Sequence, residues 1–558
     1  MSSTNWPSEP LLKQDVFKVA GSNPGSRENA LALANNAYIR AEAIWKSYGL
    51  TYEDIMTLSP KFWKMHMDPI AWHDGSSITV MTIHLNLAVG TIGMYAKDRP
   101  DLQQLAKDML DAKAFGQFCL TEAGHGLDAY NLETTATLQD DGSFILNSPN
   151  RGASKYMPPT VPVLGKPCYA IIWSRVIVKG ADWGVRPMLV QLNDGKHMCK
   201  GITSKLIPTR HGATPVNHAI THFTNVKLGH GALLGGLGDK PASHEDFLVA
   251  IWRISVGTLA LAALAIPALQ ISSYIAYKYS CRRLVGAPNP VPIISFRTQQ
   301  LPVFTAVAQT YVMTALQKYV VKHFTDPNAS HQVRHAFSCI FKAVVMEHSQ
   351  TSHFALSERL GAQGLFDYNQ IVTQFSEMRG IVIAEGDVLV LCIRLASELL
   401  QDRYAVPAST SKNLLSQHEA GVVEEGQQLA KRFGHRSQQF SDYILPRSKE
   451  IVEAIGHRMA YEAAVAEGVP QSLIDLYQAH CVGKDIGWYI ETGLLTRAGF
   501  ADLTNKAVKD AEPLMDGFVD GMNVAPYAKA PILTQDGWDK FVDNMYTFRE
   551  APEERAVM

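Results

Sequence analysis

The stretch FCLTEAGHGLDAYNLETTA (residues 118–136) divides the sequence into two textures. Ahead of it, ENALALANNAYIRAEAIWKSYG and DLQQLAKDMLDAKAF carry apolar residues every three or four positions, the spacing of one helical face. Asp101 and Gly116 read as start and stop signals there. Behind it come short β-prone runs, SFILNS, CYAIIWSRVIV, PMLVQL and AITHFTNVKL, separated by the turns GADWG, NDGK and RHGATP. The stretch itself is a polar loop. Gly124 and Gly126 permit close backbone approach to a ligand, and Thr121 offers a hydroxyl.

From about Glu245 the helical period returns and lasts to the end, with helical runs at 247–282, 295–325 and 328–360. Pro407, Ser409, Ser411 and His418 mark a linker over 404–420. The order predicts a mainly helical protein with a central, mostly antiparallel β-domain. The expected units are an N-terminal helical domain (1–115), a barrel-like middle β-domain (116–235), a helical domain (236–403) and a second helical domain (404–558).

Composition narrows the function. A chain of 558 residues exceeds one compact core. With 46% hydrophobic and 19% charged residues it has the balance of a folded soluble protein. A net charge of −2 leaves no field to attract nucleic acid or anionic lipid. The seven cysteines include no C-x-x-C pair, which fits a reducing, intracellular setting. MSSTNWPSEP lacks the basic and apolar regions of a signal peptide. The apolar run 247–277 includes Arg253 and Pro267; a charge inside a lone membrane span is costly, so a buried core helix is expected there and no span.

Several motifs are missing. GHGALLGGLG (229–238) is not G-x-G-x-x-G and has no βαβ unit around it. His66 with His73, and His331 with His335, have pair spacing without H-E-x-x-H or a Cys/His set, so no metal site is expected. Neither G-x-S-x-G nor a Walker A sequence occurs. What remains is SPNRGASKY (148–156), a strand connection; CRRLVG (281–286) followed by SFRTQQ (295–300), arginines suited to a phosphate; and LGAQG (360–364) with AEGD (384–387). Glu385 lies inside IVIAEGDVLVLCI, where lost solvation should raise its pKa toward that of a general base for a weak carbon acid.

Taken together these segments resemble the acyl-CoA oxidase and acyl-CoA dehydrogenase superfamily, on the oxidase side. TEAGHG, LETTATL and ILNSPNRGASK look like the entry to the middle domain. RRLVG resembles R-R-Q-F-G. LGAQG followed by EGD is similar to the family's G-G-x-G and E-G pairing, and DGFVDGMNVAPYAKAPI (516–532) looks like the oxidase C-terminal motif. The resemblance spans roughly 80–535. It implies FAD as cofactor and Glu385 as the base that removes the α-proton of an acyl thioester. It implies Thr121 beside the flavin ring and Gly126 in the same loop. Gly361 and Gly364 would line the adenosine–pyrophosphate site, with Arg282 reaching the pyrophosphate of a neighbouring subunit. Gln300 would lie near the dinucleotide and Arg253 near the substrate. A homodimer, O₂ as electron acceptor and no nucleic-acid partner follow.

The sequence also departs from the family. After Lys155 come Tyr156, Met157, Pro158 and Pro159 in place of two aromatics and a glycine, and Pro159 has no N–H. Leu284 and Val285 replace Gln and Phe, Ala362 replaces a Gly, and Val388 and Leu389 follow the E-G-D. The chain ends ERAVM, without the S-K-L peroxisomal address, leaving cytoplasmic or peroxisomal residence open and pointing to specialised metabolism. Two other readings stay open: a flavin oxidase or monooxygenase on a non-CoA metabolite, and a non-catalytic relative that keeps the fold as a binding partner.

Overall fold

His84 shows how the helical and β parts are joined. It lies in a π-helical stretch, Ile83–Val89, between helices Gly75–Thr82 and Gly90–Met94. Its Nε2 donates to Met109 O at 3.0 Å, and its Nδ1 accepts the Gly116 N–H at 2.9 Å. The computed structural model describes residues 6–17, 27–210 and 212–548; the MSSTN and ERAVM termini lie outside the described residues. Helix Arg27–Ser47 packs against Gly75–Thr82 to complete this helical layer.

Gly116 is not a helix stop. Helix Pro100–Leu110 ends earlier, with Ala112 in the left-handed region at φ 56°, and Gly116 falls inside strand β1, Phe115–Cys119. A Cβ on Gly116 would lie 2.5 Å from the Ala88 Cβ, so the strand needs glycine to approach the π-helical stretch. Asp101 is in the first turn of its helix, bonded to Arg99.

The remaining strands are β2 (Thr135–Leu138), β3 (Phe144–Asn147), β4 (Lys155–Tyr156), β5 (Cys168–Val178), β6 (Ala181–Asn193), β7 (Ile202–Leu206), β8 (Ala219–Phe223) and β9 (Val226–Leu228). Most pairings are antiparallel; two are not. β1 pairs in parallel with residues 168–172 of β5, and β2 in parallel with residues 175–177. The two strands thus lie end to end along one edge of β5, with β6 on the other. The polar loop of 118–136 leaves the sheet at the gap between them. Lys155 fills this gap: its Nζ donates to Trp173 O (2.7 Å), Leu120 O (3.2 Å) and Glu122 Oε1 (3.0 Å). Glu122 in turn accepts the N–H groups of Glu133 and Thr134. Both ends of the loop are therefore fixed by one buried ion pair. β4, β8 and β7 form a separate small sheet. AITHFTNVKL divides into β8 and β9 at Asn225, φ 47°.

Behind the sheet stand helices Arg253–Ala263, Ala265–Arg282, Arg297–Phe324, His331–Arg359, Ile371–Ile383 and Val388–Leu400. The apolar run is long enough to cross a membrane, but 83% of its most apolar window is buried inside the protein. Its side chains already have an apolar environment, as expected for a core helix. Segment 75–94 is also long and apolar enough to cross a membrane, and 78% of its most apolar window is buried inside the protein. The expected linker is shorter than 404–420. Asn413 caps helix Leu414–Phe433 through a reciprocal bond with Ser416, so His418 is helical. Helices Ser448–Ala466, Gln471–Lys484 and Arg497–Ala511 complete the C-terminal part.

Candidate active site

Glu385 occupies a four-residue connection, residues 384–387, between helices Ile371–Ile383 and Val388–Leu400. Its φ is +56° and that of Gly386 is +101°, the left-handed side of φ that a residue with a side chain rarely adopts. Side chains hold the turn from several directions. Lys342 Nζ, from helix His331–Arg359, donates to Ala384 O and Gly386 O, both at 2.6 Å. Thr258 Oγ1 donates to Glu385 O at 2.7 Å. Asp387 caps the next helix by accepting the Leu389 and Val390 N–H groups.

The turn aims the Glu385 carboxylate at helix Arg253–Ala263, where Gly257 leaves the space for it. A Cβ at 257 would stand 1.3 Å from Glu385 Oε2. The residue is half-buried as a whole, but Oε2 is enclosed and has no hydrogen-bond partner among the described residues. Burial pushes the carboxyl pKa up to about 8, against the pull of the Lys342 ammonium. Burial also brings Lys342 down to about 8, with Glu385 opposing. A desolvated carboxyl with a free oxygen beside an open backbone face is equipped to accept a proton from a weak acid.

The other expected site residues fall into separate groups. Arg253 lies one helical turn before Gly257, but its guanidinium turns toward the N-terminal helices. Nη1 and Nη2 both reach Ile55 O at 3.0 Å, and Nε has no partner among the described residues. Burial lowers its pKa to about 10, Tyr52 opposing. Thr121 is exposed on the loop at the β1/β2 gap, and its carbonyl accepts the Tyr156 N–H. Gly124 crosses Gly152, donating to its carbonyl at 2.8 Å, while Gly126 faces open space. Leu127, Tyr156 and Met157 nearby are exposed.

Arg282 and Gln300 meet the C-terminal segment. Arg282 Nε donates to Ile532 O (3.1 Å) and Nη1 to Gln535 Oε1 (2.9 Å), while Gln300 Nε2 donates to Glu512 Oε1 (2.8 Å). The 516–532 motif therefore folds back onto the end of helix Ala265–Arg282. Gly364 is packed against its own preceding helix: a Cβ there would lie 1.8 Å from Ser357 O. Gly361 turns the chain at φ +59°, ahead of the exposed Leu365 and Phe366.

Lys342, Thr258 and Gly257 were not singled out in the sequence. A signal for two of them was present. Lys342 is a lone charge inside a buried apolar stripe, FSCIFKAVVM, and Gly257 interrupts a strongly apolar helix. A buried group that spacing could not reveal is His348, His457 and Cys481, whose possible ligand atoms lie within 4.8 Å of one another on three helices. His348 is engaged at both ring nitrogens, by Gln309 (3.2 Å) and Tyr477 (3.1 Å), and stacks on His457. Burial, helped by His457, His480 and Lys484, holds the His348 pKa well below that of free histidine, so the ring packs neutral.

Residues 257–400, which include Gly257, Lys342 and Glu385, match the family model for the acyl-CoA oxidase C-alpha1 domain. Acyl-coenzyme A oxidase 2, peroxisomal, of Arabidopsis thaliana is 27% identical over 315 residues, covering 51% of this chain and 45% of that protein. The chain thus spans about half the length of this relative. The crystal structure of acyl-CoA oxidase 1 from Yarrowia lipolytica superposes with a TM-score of 0.80 at 17% identity, covering 99% of this chain and 91% of that one. Acyl-CoA oxidase 1 of Caenorhabditis elegans, complexed with FAD and ATP, superposes with a TM-score of 0.77 at 18% identity, covering 96% and 90%. At these identities the superpositions speak for the fold, which is the expected one: mainly helical with a central curled sheet. The C-alpha1 match covers residues 257–400, and over those residues and beyond the chain is similar in sequence to acyl-CoA oxidases.

Proposed function

We propose that the chain is an FAD-dependent oxidoreductase that introduces an α,β double bond into an acyl thioester. The observation that carries this reading is the enclosed, unpartnered Glu385 Oε2 facing Gly257. A thioester carbonyl acidifies its α-carbon, and Glu385 takes that proton. The Glu385 N–H, past the end of its helix, is a donor this chain offers to the developing enolate oxygen. FAD, when bound, supplies the acceptor for the β-hydride and passes the electrons to O₂, giving hydrogen peroxide.

The residues suit the ring end of that cofactor. The 121–127 loop presents a hydroxyl and an open glycine beside exposed Leu127, Tyr156 and Met157, a surface for a flat, partly apolar ring with a polar edge. Pro159 gives it no N–H. At the dinucleotide end, Arg282 uses Nε and Nη1 within the chain, and Nη2 is the atom left for a phosphate oxygen. Exposed Leu284, Phe296, Leu365 and Phe366 offer apolar surface for a second copy, and we assign the assembly as a homodimer. Light scattering should give about twice the 61.5 kDa chain mass. Residence inside the cell follows from the reading, and imaging of a tagged chain distinguishes peroxisome from cytoplasm.

The test is the purified protein reconstituted with FAD. It should be yellow, bleach anaerobically with a member of a CoA-ester panel, and form peroxide in air. A protein that takes up no flavin would be the non-catalytic relative. One that bleaches only with a non-CoA metabolite would be the other flavin enzyme.

Two further results are expected. Flavin reduction should rise with pH to a plateau, with half the maximal rate near the Glu385 pKa of about 8, because only the carboxylate accepts the proton. Activity is lost as pH falls through that value, and stopped-flow reduction across pH reads it. Arg282→Ala should lower the flavin-to-chain ratio after gel filtration while helix content by circular dichroism stays unchanged, since a charge-assisted phosphate contact is removed. Full retention of FAD would remove Arg282 from the cofactor site.

A further inference from the structure

Lys342 is a fully buried lysine on an apolar helix face, and it forms no ion pair at hydrogen-bonding distance among the described residues. Burying an ammonium is costly, and a methionine or leucine would fill the same space without that cost. Its two short bonds do something particular. Ala384 O is the cap carbonyl of helix Ile371–Ile383, the negative end of that helix, and Gly386 O lies on the far side of Glu385. One ammonium therefore ties together the residues on either side of Glu385. Asp387 fixes the incoming helix, and Thr258 fixes the carbonyl of Glu385 itself. The left-handed Glu385 backbone, unusual for a residue with a side chain, is held from both sides.

We propose that Lys342 is the positioning residue of the base: it locks the 384–386 turn so that the carboxylate faces Gly257, and it sets an ammonium against the backbone on both sides of that residue. The proposal rests on the function proposed above. Lys342 does not touch the substrate and acts through Glu385. The mutual influence of the two groups agrees, since the ammonium pulls the Glu385 pKa down against burial.

Other groups around the pair are identifiable. Cys339 lies on the Lys342 helix, Asp387 caps helix Val388–Leu400 and Cys392 lies on it; all three act on Lys342. Arg394 and Glu398 act on Cys339, and Lys449 with Glu453 on Cys392. From helix Arg253–Ala263 the charge is Arg253, bonded to Ile55 O. None of these is replaced in a Lys342 variant, and Cys339 and Cys392, on which Lys342 also acts, are buried thiols pushed far above the range of the limb.

The experiment compares wild-type, Lys342→Met and Lys342→Gln holoenzymes. Without the ammonium the carboxylate loses its favourable neighbour, so the acid limb of anaerobic flavin reduction should move upward by about one pH unit. At pH values below the limb, that is a rate loss of about tenfold. Hydrogen–deuterium exchange should show faster exchange of the amides at 384–388 in Lys342→Met, with the rest of the protein unchanged. Lys342→Gln keeps an N–H donor on a side chain one atom shorter. It should recover part of the exchange protection but not the limb, and it covers the case in which the methionine variant does not fold. A limb at the wild-type position in either folded variant overturns the charge role, and wild-type exchange at 384–388 in Lys342→Met overturns the locking role. If no thioester reduces the wild-type flavin, the functional reading has failed, while the exchange comparison still reports on the turn.

Discussion

Glu385→Gln should give a folded, yellow protein whose flavin no thioester reduces at a useful rate. The amide has nearly the shape of the carboxylate, so the pocket at Gly257 and the turn held by Lys342 and Thr258 keep their packing. What disappears is the acceptor for the α-proton. Removing a placed general base costs roughly 10²- to 10⁴-fold. FAD content should be unchanged, because none of the loop residues 121–127 and neither Arg282 nor Gln300 is bonded to this turn. Absorbance per chain and anaerobic bleaching, measured on the same sample, separate loss of cofactor from loss of chemistry. Reduction at the wild-type rate would mean that the reaction does not start with proton transfer to Glu385, and a monooxygenase-like use of the flavin would then be the better reading.

The architecture was readable where local pattern decides it. β5 runs over the residues CYAIIWSRVIV that its β-branched run marked out, and the long apolar stretch is a buried helix. Boundaries set by tertiary contact were not readable. Gly116 looks like a helix stop, and only the approach of Ala88 shows that it belongs to a strand. The same holds at the site. An apolar run containing Glu385 suggests a desolvated carboxyl, yet Ile383, Leu389 and Val390 in that run are exposed, and the enclosure of Oε2 comes from the distant helix of Gly257. Lys342 and Gly257 act on it from 43 and 128 positions away, and no local pattern joins them to it. Arg282 shows the reverse problem. Its motif suggests a phosphate ligand, yet two of its nitrogens are taken by Ile532 and Gln535, residues that only the folded C-terminal segment brings near.

Gly257→Ala is the second large effect expected, and stability and activity should move in opposite directions. Within a helix, alanine is favoured over glycine by about 1 kcal/mol, so helix Arg253–Ala263 should be no weaker, and thermal unfolding should occur at the same or a higher temperature. The added methyl, however, would lie 1.3 Å from Glu385 Oε2, and van der Waals distance requires the carboxylate to move by about 2 Å. The backbone of the turn cannot follow, since Lys342 and Thr258 hold the carbonyls of 384, 385 and 386. The side chain must therefore swing away from the position it takes in the wild type. A base misplaced by 1 Å costs about 10²-fold, and the loss here should be at least of that order. Flavin content should match wild type, and raising the pH should not recover the rate, because the fault is position and not protonation. If the alanine variant instead reduces its flavin as fast as wild type, the carboxylate does not work from the pocket at Gly257, and the base must be sought in another conformation of the 384–386 turn or on another residue.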